Sequence, residues 1–444
     1  MTLSLAAVKK RFKGVVDAID PATAGKNPKD FSRNRLCSLR DTIMILVTMA
    51  GSSTNSEMHK YFVTIHRKAD LRPSASALFQ QRLKLRDSVF PELFSETNKQ
   101  FPFTKTLFGL HLLAADGSDV NIPALEGDLS TFVPNKTGED GYYQVHLDAI
   151  YDLLEGRYLD ACITPKAENN ENAALCQMVD RNPLEGPCLF IADRAYPTFN
   201  TLAHIQEAGH FFLIRAKDPA SCCSPLKGIV FPDSETAEID HSFIIRRRRI
   251  GKDEDPAIFK NLRNDRVFDY IEMKDRISEY QINFRIVKIK LSEGKYEYLV
   301  TNLPANKYSP MIFKALYHMR WAIETSFRHL KYKVGLNFFH SKKRQFIYQE
   351  IFARLIMYNL ISLCIRITPV PKPKRGEPKW KKQLSFADGA DKCREFLITK
   401  MCGTTLKSLL QKHQEPIRPD RSAFREVRSQ RVHKKISGKT KENF

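Results

Sequence analysis

The sequence predicts an α/β protein carrying a β-rich insertion, with a helical N-terminal region and a helical, basic C-terminal region. Three observations predict this. From about residue 106 the texture turns from helical to strand-like, in the order strand, hairpin, helix, strand, helix, strand, which is the order of an α/β layer built on a mixed sheet. Residues 217–297 then alternate charged and β-branched residues, as in HSFIIRRRRI and YQINFRIVKIKL, the pattern of an all-β insertion. Helical patterning returns over Leu316–Val334 and again from about Arg344 to Ile367.

Residues 1–105 read as mostly helical. Leu39–Ala50 carries an apolar stripe (Ile43, Leu46, Val47) that Gly51-Ser52-Ser53 breaks, and Glu57–Ile65 and Ser76–Arg86 are further helices, with Ser74 or Ser76 as N-cap. Basic residues recur from Lys9 to Arg86, so the region is expected to contact nucleic-acid phosphates. The apolar run Gly109–Ala115 is expected to be a strand that stops at Asp116. Tyr143–Leu153 and Arg157–Thr164 flank a turn at Leu154-Glu155-Gly156 and read as a hairpin. Asn169–Asn182 is a helix, Pro187–Ala192 a buried strand stopping at Asp193, Pro197–Ala208 a helix with Pro in its first turn, and His210–Ala216 a strand. Within the insertion Ser292-Glu293-Gly294 marks a hairpin turn, and Tyr298–Leu303 rejoins the main sheet. The α/β layer is thus expected over 106–216 and 298–367, with 368–444 as a separate basic region. Thr368–Lys382 is a Pro- and Lys-rich loop, Lys392–His413 a short helical stretch, and the segment from Pro416, with nine Lys or Arg against three acids, is expected to be unstructured when free.

The totals narrow the function. At 444 residues the chain exceeds one ordinary core, so two or three domains are expected. A net charge of +21 calls for a polyanionic partner, of which nucleic acid is the usual one. The best apolar run, around Leu355–Ile367, is broken by polar residues, so no membrane span is expected. The opening MTLSLAAVKKRFKG lacks the apolar segment and cleavage site of a signal peptide. Nine cysteines, with no Cys-x2-Cys pair, fit a reducing cytoplasm and neither a disulfide framework nor a zinc site.

The segment Leu316–Val334, LYHMRWAIETSFRHLKYKV, has no Pro or Gly and is expected to form one continuous helix. Tyr317 and Arg320 precede Glu324 by seven and four residues, and Lys331 follows it by seven. At about 100° per residue all three lie within roughly 40° of Glu324 around the helix. One stripe therefore presents a phenol, a guanidinium, a carboxylate and an ammonium, while Trp321, Ile323, Phe327 and Leu330 supply apolar surface for docking. A solvated face with an ordinary Arg-Glu pair is the plain alternative. Asp116 and Asp193 each follow an apolar strand, where a carboxylate sits on rigid backbone at a sheet edge. Asp119 lies close by in the same polar stretch, and Asp116 is favoured because it ends the strand directly. Converging carboxylates repel unless cations intervene, and oxygen ligands select Mg²⁺ or Mn²⁺. His146 and His210 read as packed or surface histidines, and Arg246-Arg247-Arg248-Arg249 as either a DNA track or a charged β edge.

The pattern Tyr-x2-Arg-x3-Glu-x6-Lys over Tyr317, Arg320, Glu324 and Lys331 resembles the signature of the IS4 family of bacterial DDE transposases. LLAADGSDV resembles that family's first motif, with Asp116 as ligand. LFIADRAYPTFNTLAHIQEAGHFFLIRAK resembles its second, with Asp193 as ligand. The three motifs stand in the family's order, and the resemblance covers roughly residues 105–365.

The resemblance implies an RNase H-like catalytic core interrupted by the β insertion before its last acid. It implies cut-and-paste transposition of an insertion sequence, with Asp116, Asp193 and Glu324 holding two Mg²⁺ ions that Mn²⁺ can replace. It implies that Tyr317, Arg320 and Lys331 contact DNA at the terminal inverted repeats, that target DNA is the second substrate, and that two chains pair in the synaptic complex of a bacterial, nucleoid-associated enzyme. The competing reading is a non-catalytic, sequence-specific DNA-binding protein derived from a transposase.

Overall fold

A computed structural model of the chain describes residues 3–33, 35–66, 73–125, 127–135, 141–221, 224–263, 265–372 and 380–417. Six helices come first: α1 (Leu5–Asp17), α2 (Pro21–Ala24), α3 (Leu39–Thr48), α4 (Thr54–His66), α5 (Ala75–Lys84) and α6 (Val89–Gln100). Side-chain caps start several of them. Ser4 caps α1, Ser74 rather than Ser76 caps α5, and Ser38 with Asp41 closes a capping box on α3. The expected N-terminal basic residues Arg67, Lys68 and Arg72 lie outside the described residues, as do 373–379 of the Pro- and Lys-rich loop and 418–444.

The sheet is mixed. Its strands are β1 (His111–Ile122), β2 (Phe132–Pro134), β3 (Gly141–Asp152), β4 (Arg157–Pro165), β5 (Cys188–Ala192), β6 (Phe211–Ala216), β7 (Thr236–Arg246), β8 (Phe259–Asn261), β9 (Glu279–Ser292) and β10 (Lys295–Thr301). At its centre β4, β3 and β1 form an antiparallel meander, and β5 and β6 join β1 in parallel. The connections in this parallel half are α7 (Glu171–Asp180) and α8 (Phe199–Glu207). The cap of α8 is Thr198, one residue past the expected proline start.

β10 pairs antiparallel with β6, and β9 and β7 follow it outward. The β-rich segment therefore extends the central sheet edge-on instead of closing a sheet of its own. The turn between β9 and β10 takes Gly294 at φ 66°, a conformation glycine adopts without steric cost.

Helices cover both faces. On one side α9 (Phe313–Met319), α10 (Trp321–Tyr332) and α11 (Arg344–Ile367) join the N-terminal helices in a single large core, with α12 (Phe386–Ile398) and α13 (Gly403–Lys412) beyond them. On the other side α7 and α8 pack against the sheet in a second core that runs under β7 and β9. A small ribbon of β11 (Lys382–Leu384) and β12 (Gln414–Pro416) completes the described chain.

α11 is the axis of the first core. Its buried polar groups each have a defined partner. Arg354 donates to the carbonyls of Leu46 and Ala50 at the end of α3. Asn359 accepts from the Tyr158 backbone N–H and donates to its carbonyl, holding α11 to β4.

Two expectations need correction. The helix expected over Leu316–Val334 is broken at Arg320 into α9 and α10. There the Arg320 N–H bonds the Tyr317 carbonyl and the Ile323 N–H bonds the Arg320 carbonyl, both three residues back, so the turn tightens. β1 does not stop at Asp116 but continues to Ile122, because the polar stretch DGSDVNI is paired residue for residue with β3.

Candidate active site

Along β1 the side chains alternate between the two cores. Leu112, Ala114 and Val120 join the core that holds α10, and Leu113 and Ala115 the opposite one. Asp116 therefore faces α10. On β5, Leu189 and Ile191 share that face, so Asp193, the next residue of the same parity, points the same way. The parallel register pairs Ala114 with Ile191. Continued by two residues, it sets Asp116 beside Asp193 on neighbouring strands, about 4.8 Å apart in the sheet direction. The Ala195 N–H donates to Asp193 Oδ1 at 2.8 Å, which fixes the carboxylate at the strand's end.

Glu324 comes from the first turn of α10, where a carboxylate suits the positive end of the helix. Two contacts hold this helix over the sheet. Ser326 Oγ lies 2.8 Å from the Tyr158 hydroxyl on β4. Lys331 Nζ donates to Ser118 Oγ at 2.8 Å and to the Asp119 carbonyl at 2.6 Å, both on β1. Ile323, Phe327 and Leu330 are buried as expected, but Trp321 is 53% exposed because α10 begins with it at the rim.

Arg320 joins the acids. Its Nη2 donates to Glu324 at 2.8 Å and its Nη1 stands 3.8 Å from Asp116 Oδ2, while the side chain is almost fully buried. One guanidinium thus spans two carboxylates. Burial, helped by Glu324 and Asp193 and opposed by Arg320 and the Gly117 N–H, pushes the Asp116 carboxyl up to about 7. Glu324 and Asp193 thus both act electrostatically on Asp116, but the three carboxylates do not bring their ligand oxygens within 4.8 Å of one another in this structure; as a set of hard oxygen donors they suit a divalent cation of the Mg²⁺ class.

Tyr317 is buried, with the Arg320 guanidinium 5.7 Å from its ring. Burial raises its phenol; Arg320 and Arg215 oppose that, and Glu297 and Asp193 add to it, so the ring sits within reach of the same row. Arg215 was not singled out from the sequence. The β5–β6 register pairs Ala192 with Ile214 and so carries Asp193 alongside Arg215 on the next strand. Arg215 Nε lies 3.3 Å from Glu297 on β10. A single arginine inside the apolar strand FFLIRA was the available signal.

Asp119, the alternative first acid, points to the other face. It bonds His146 Nδ1 and Lys166 Nζ there, which hold its carboxyl down to about 2. In the insertion Arg246 and Arg247 are buried. Arg246 pairs with Glu254 and Glu279, Arg247 donates to the carbonyls of Ile271 and Arg266, and Arg248 pairs with Glu279 at 3.1 Å. Three of the four arginines are thus occupied within the fold.

Residues 108–360, more than half of the chain, match the family model described as the Transposase DDE domain. The chain belongs to this family. This DDE transposase is a metal-dependent DNA-cleaving enzyme. No curated protein matches the chain. Among solved structures, the piggyBac transposase synaptic complex with hairpin DNA is similar at 10% identity and a TM-score of 0.44, covering 95% of this chain and 86% of that chain, a likeness too faint to carry weight. Among the described residues, no helix of the transposase is long and apolar enough to cross a membrane.

Proposed function

We propose that this transposase moves an IS4-type insertion sequence by cut-and-paste, cleaving at the terminal inverted repeats and joining the freed 3′ ends to target DNA. The observation that carries this reading is that Arg320 spans Glu324 and Asp116 while Asp193, at the end of the neighbouring strand, acts electrostatically on the same Asp116 carboxyl. The central order β4-β3-β1-β5-β6, three antiparallel strands followed by two parallel ones, supports an RNase H-like core. Asp119's engagement on the opposite face supports Asp116 as the first acid.

In this reading Asp116, Asp193 and Glu324 are the catalytic carboxylates and hold two Mg²⁺ ions, which Mn²⁺ can replace. Such an ion pair supplies activation of a water or 3′-hydroxyl and stabilisation of the departing oxygen. The protein's own work is positioning. Arg320 leaves its acids and grips a backbone phosphate with its forked donors. Tyr317 and Lys331 border the same track, and Arg215 extends it along the sheet. The basic N-terminal helices give charge for the rest of the duplex. Two chains pairing on two ends would form the synaptic complex, in the nucleoid of a bacterial cytoplasm.

Incubating the purified chain with Mg²⁺ or Mn²⁺, a terminal-repeat duplex and target DNA tests this. Joined products are expected. Cutting without joining would reduce the enzyme to a nuclease, and binding without cutting would favour a non-catalytic DNA-binding role. Asp193→Asn should abolish cleavage and leave end binding; undiminished cleavage would remove the assignment.

A further inference from the structure

Behind the candidate active site, on the opposite face of β1, lies a second cluster that the reaction does not use. His146 and Asp148 stand two residues apart on β3, in register with Asp119 and Gly117 of β1, and Glu171 opens α7 above them. We propose that His146 Nε2, Asp148 and Glu171 bind one divalent first-row transition-metal ion, of the zinc or manganese class, that ties α7 to β3, the neighbour of the strand bearing Asp116.

Four features of the geometry point to this. The three donor atoms all lie within 4.8 Å of one another. His146 Nε2 is 3.2 Å from Glu171 Oε1 and 3.4 Å from Asp148 Oδ1. Ligands bonded at about 2.0–2.2 Å to a tetrahedral ion lie roughly 3.3–3.5 Å apart along each edge, so the spacing matches a coordination shell.

Second, the buried donors lack hydrogen-bond partners. Asp148 is 1% exposed and His146 3%. Nevertheless His146 Nε2 and both Asp148 oxygens have no hydrogen-bond partner among the described residues, their contacts being ion-pair approaches to the imidazole. A buried carboxylate in that condition is costly without a cation.

Third, the imidazole is oriented from behind. Its Nδ1 lies 2.7 Å from Asp119, which Lys166 holds in turn at 2.6 Å. A carboxylate on the far nitrogen is the usual arrangement behind a metal-bound histidine, because it fixes the tautomer that leaves Nε2 free to ligate.

Fourth, room has been made. A Cβ on Gly117 would lie 2.2 Å from His146 Nε2, so the ring occupies space that only glycine leaves open. Glu171, with its side chain 30% exposed, gives a path from solvent and room for a water as the fourth ligand. The donor set of one imidazole and two carboxylates suits zinc, manganese or ferrous iron better than a thiolate-seeking ion such as Cu(I). The competing reading is an imidazolium held by three acids with no metal.

The two are separable without assaying activity, and independently of the transposition reading. The full chain carrying Asp116→Asn, Asp193→Asn and Glu324→Gln, which silences the first site, is loaded with Zn²⁺ or Co²⁺ and dialysed. One ion per chain is expected, with the visible absorption of protein-bound Co²⁺ and a raised melting temperature. Adding His146→Gln should remove the ion and the absorption. Adding Glu171→Gln, at the half-exposed ligand where folding is not at risk, should weaken binding more than about tenfold. If the background chain retains no ion, or binds it equally well with Glu171→Gln, the proposal is wrong.

Discussion

Arg320 donates to Glu324 at 2.8 Å while its second nitrogen stands 3.8 Å from Asp116, so in the free chain a protein cation spans two of the three acids. A divalent ion must compete with that guanidinium for the same oxygens. The expectation for Arg320→Ala is therefore a split. Mn²⁺ binding, followed by calorimetry on the protein alone, should hold or tighten. Cleavage of the terminal duplex should fall by about a hundredfold, because the phosphate grip is lost. Weaker Mn²⁺ binding would instead make Arg320 a residue that positions Glu324.

Lys331 is spoken for before DNA arrives. Its ammonium bonds Ser118 and the Asp119 carbonyl, and burial lowers its pKa. Lys331→Ala leaves those β1 groups without their donor and should cost about 1–3 kcal/mol in urea denaturation. If the ammonium also meets a phosphate, the slope of log Kobs against log salt should flatten by about 0.9. An unchanged slope with the stability loss intact would make Lys331 a clamp for α10 and nothing more.

Gly117 looks in the sequence like the turn residue after an acid, yet it lies inside β1 opposite Asp148. Gly117→Ala would drive a methyl into His146 Nε2 at 2.2 Å and into Asp148 Oδ1 at 3.1 Å. The imidazole is fixed by Asp119 on its other side and cannot swing clear cheaply. We expect a loss of about 1–3 kcal/mol together with loss of Co²⁺ absorption in the background variant described above. A chain as stable as the parent would show that the ring moves freely.

Much of the catalytic layer was legible because its strands are apolar runs closed by turn residues, and because the acids and the helix stripe keep fixed spacings. What escaped was set by pairing across the sequence. DGSDV has weak strand character of its own and stays extended because β3 binds it along its length. The break at Arg320 carries no Pro or Gly; it accompanies a guanidinium turned inward to two acids. His146, Asp148 and Glu171 come from a strand and a separate helix, so no local spacing announces them. The run of four arginines looked like surface, whereas Arg246 and Arg247 are buried among acids and carbonyls.

Arg82, among the basic residues expected to contact phosphates, instead meets Glu350 at 2.9 Å with both side chains essentially unexposed, joining α5 to α11. His340 adds its backbone N–H and its ring to the same carboxylate, each at 3.1 Å. Burial opposes the charge on both partners and lowers Arg82, but an arginine begins so high that it keeps its proton. Glu350 ends at about 2, because Arg82 and His340 outweigh its desolvation. A carboxyl whose pKa falls on folding contributes stability that is fully present above its ordinary 4.5 and disappears as pH falls towards about 2. Over that window the contribution amounts to at most about 3 kcal/mol. Thermal melts of the parent from pH 6 to pH 3 should therefore decline steeply. Glu350→Gln should begin about 3–5 kcal/mol less stable at pH 6, since it strands a buried guanidinium, and should then decline less steeply. Parallel declines in the two chains would mean that the acid sensitivity of this helix junction lies in other carboxylates.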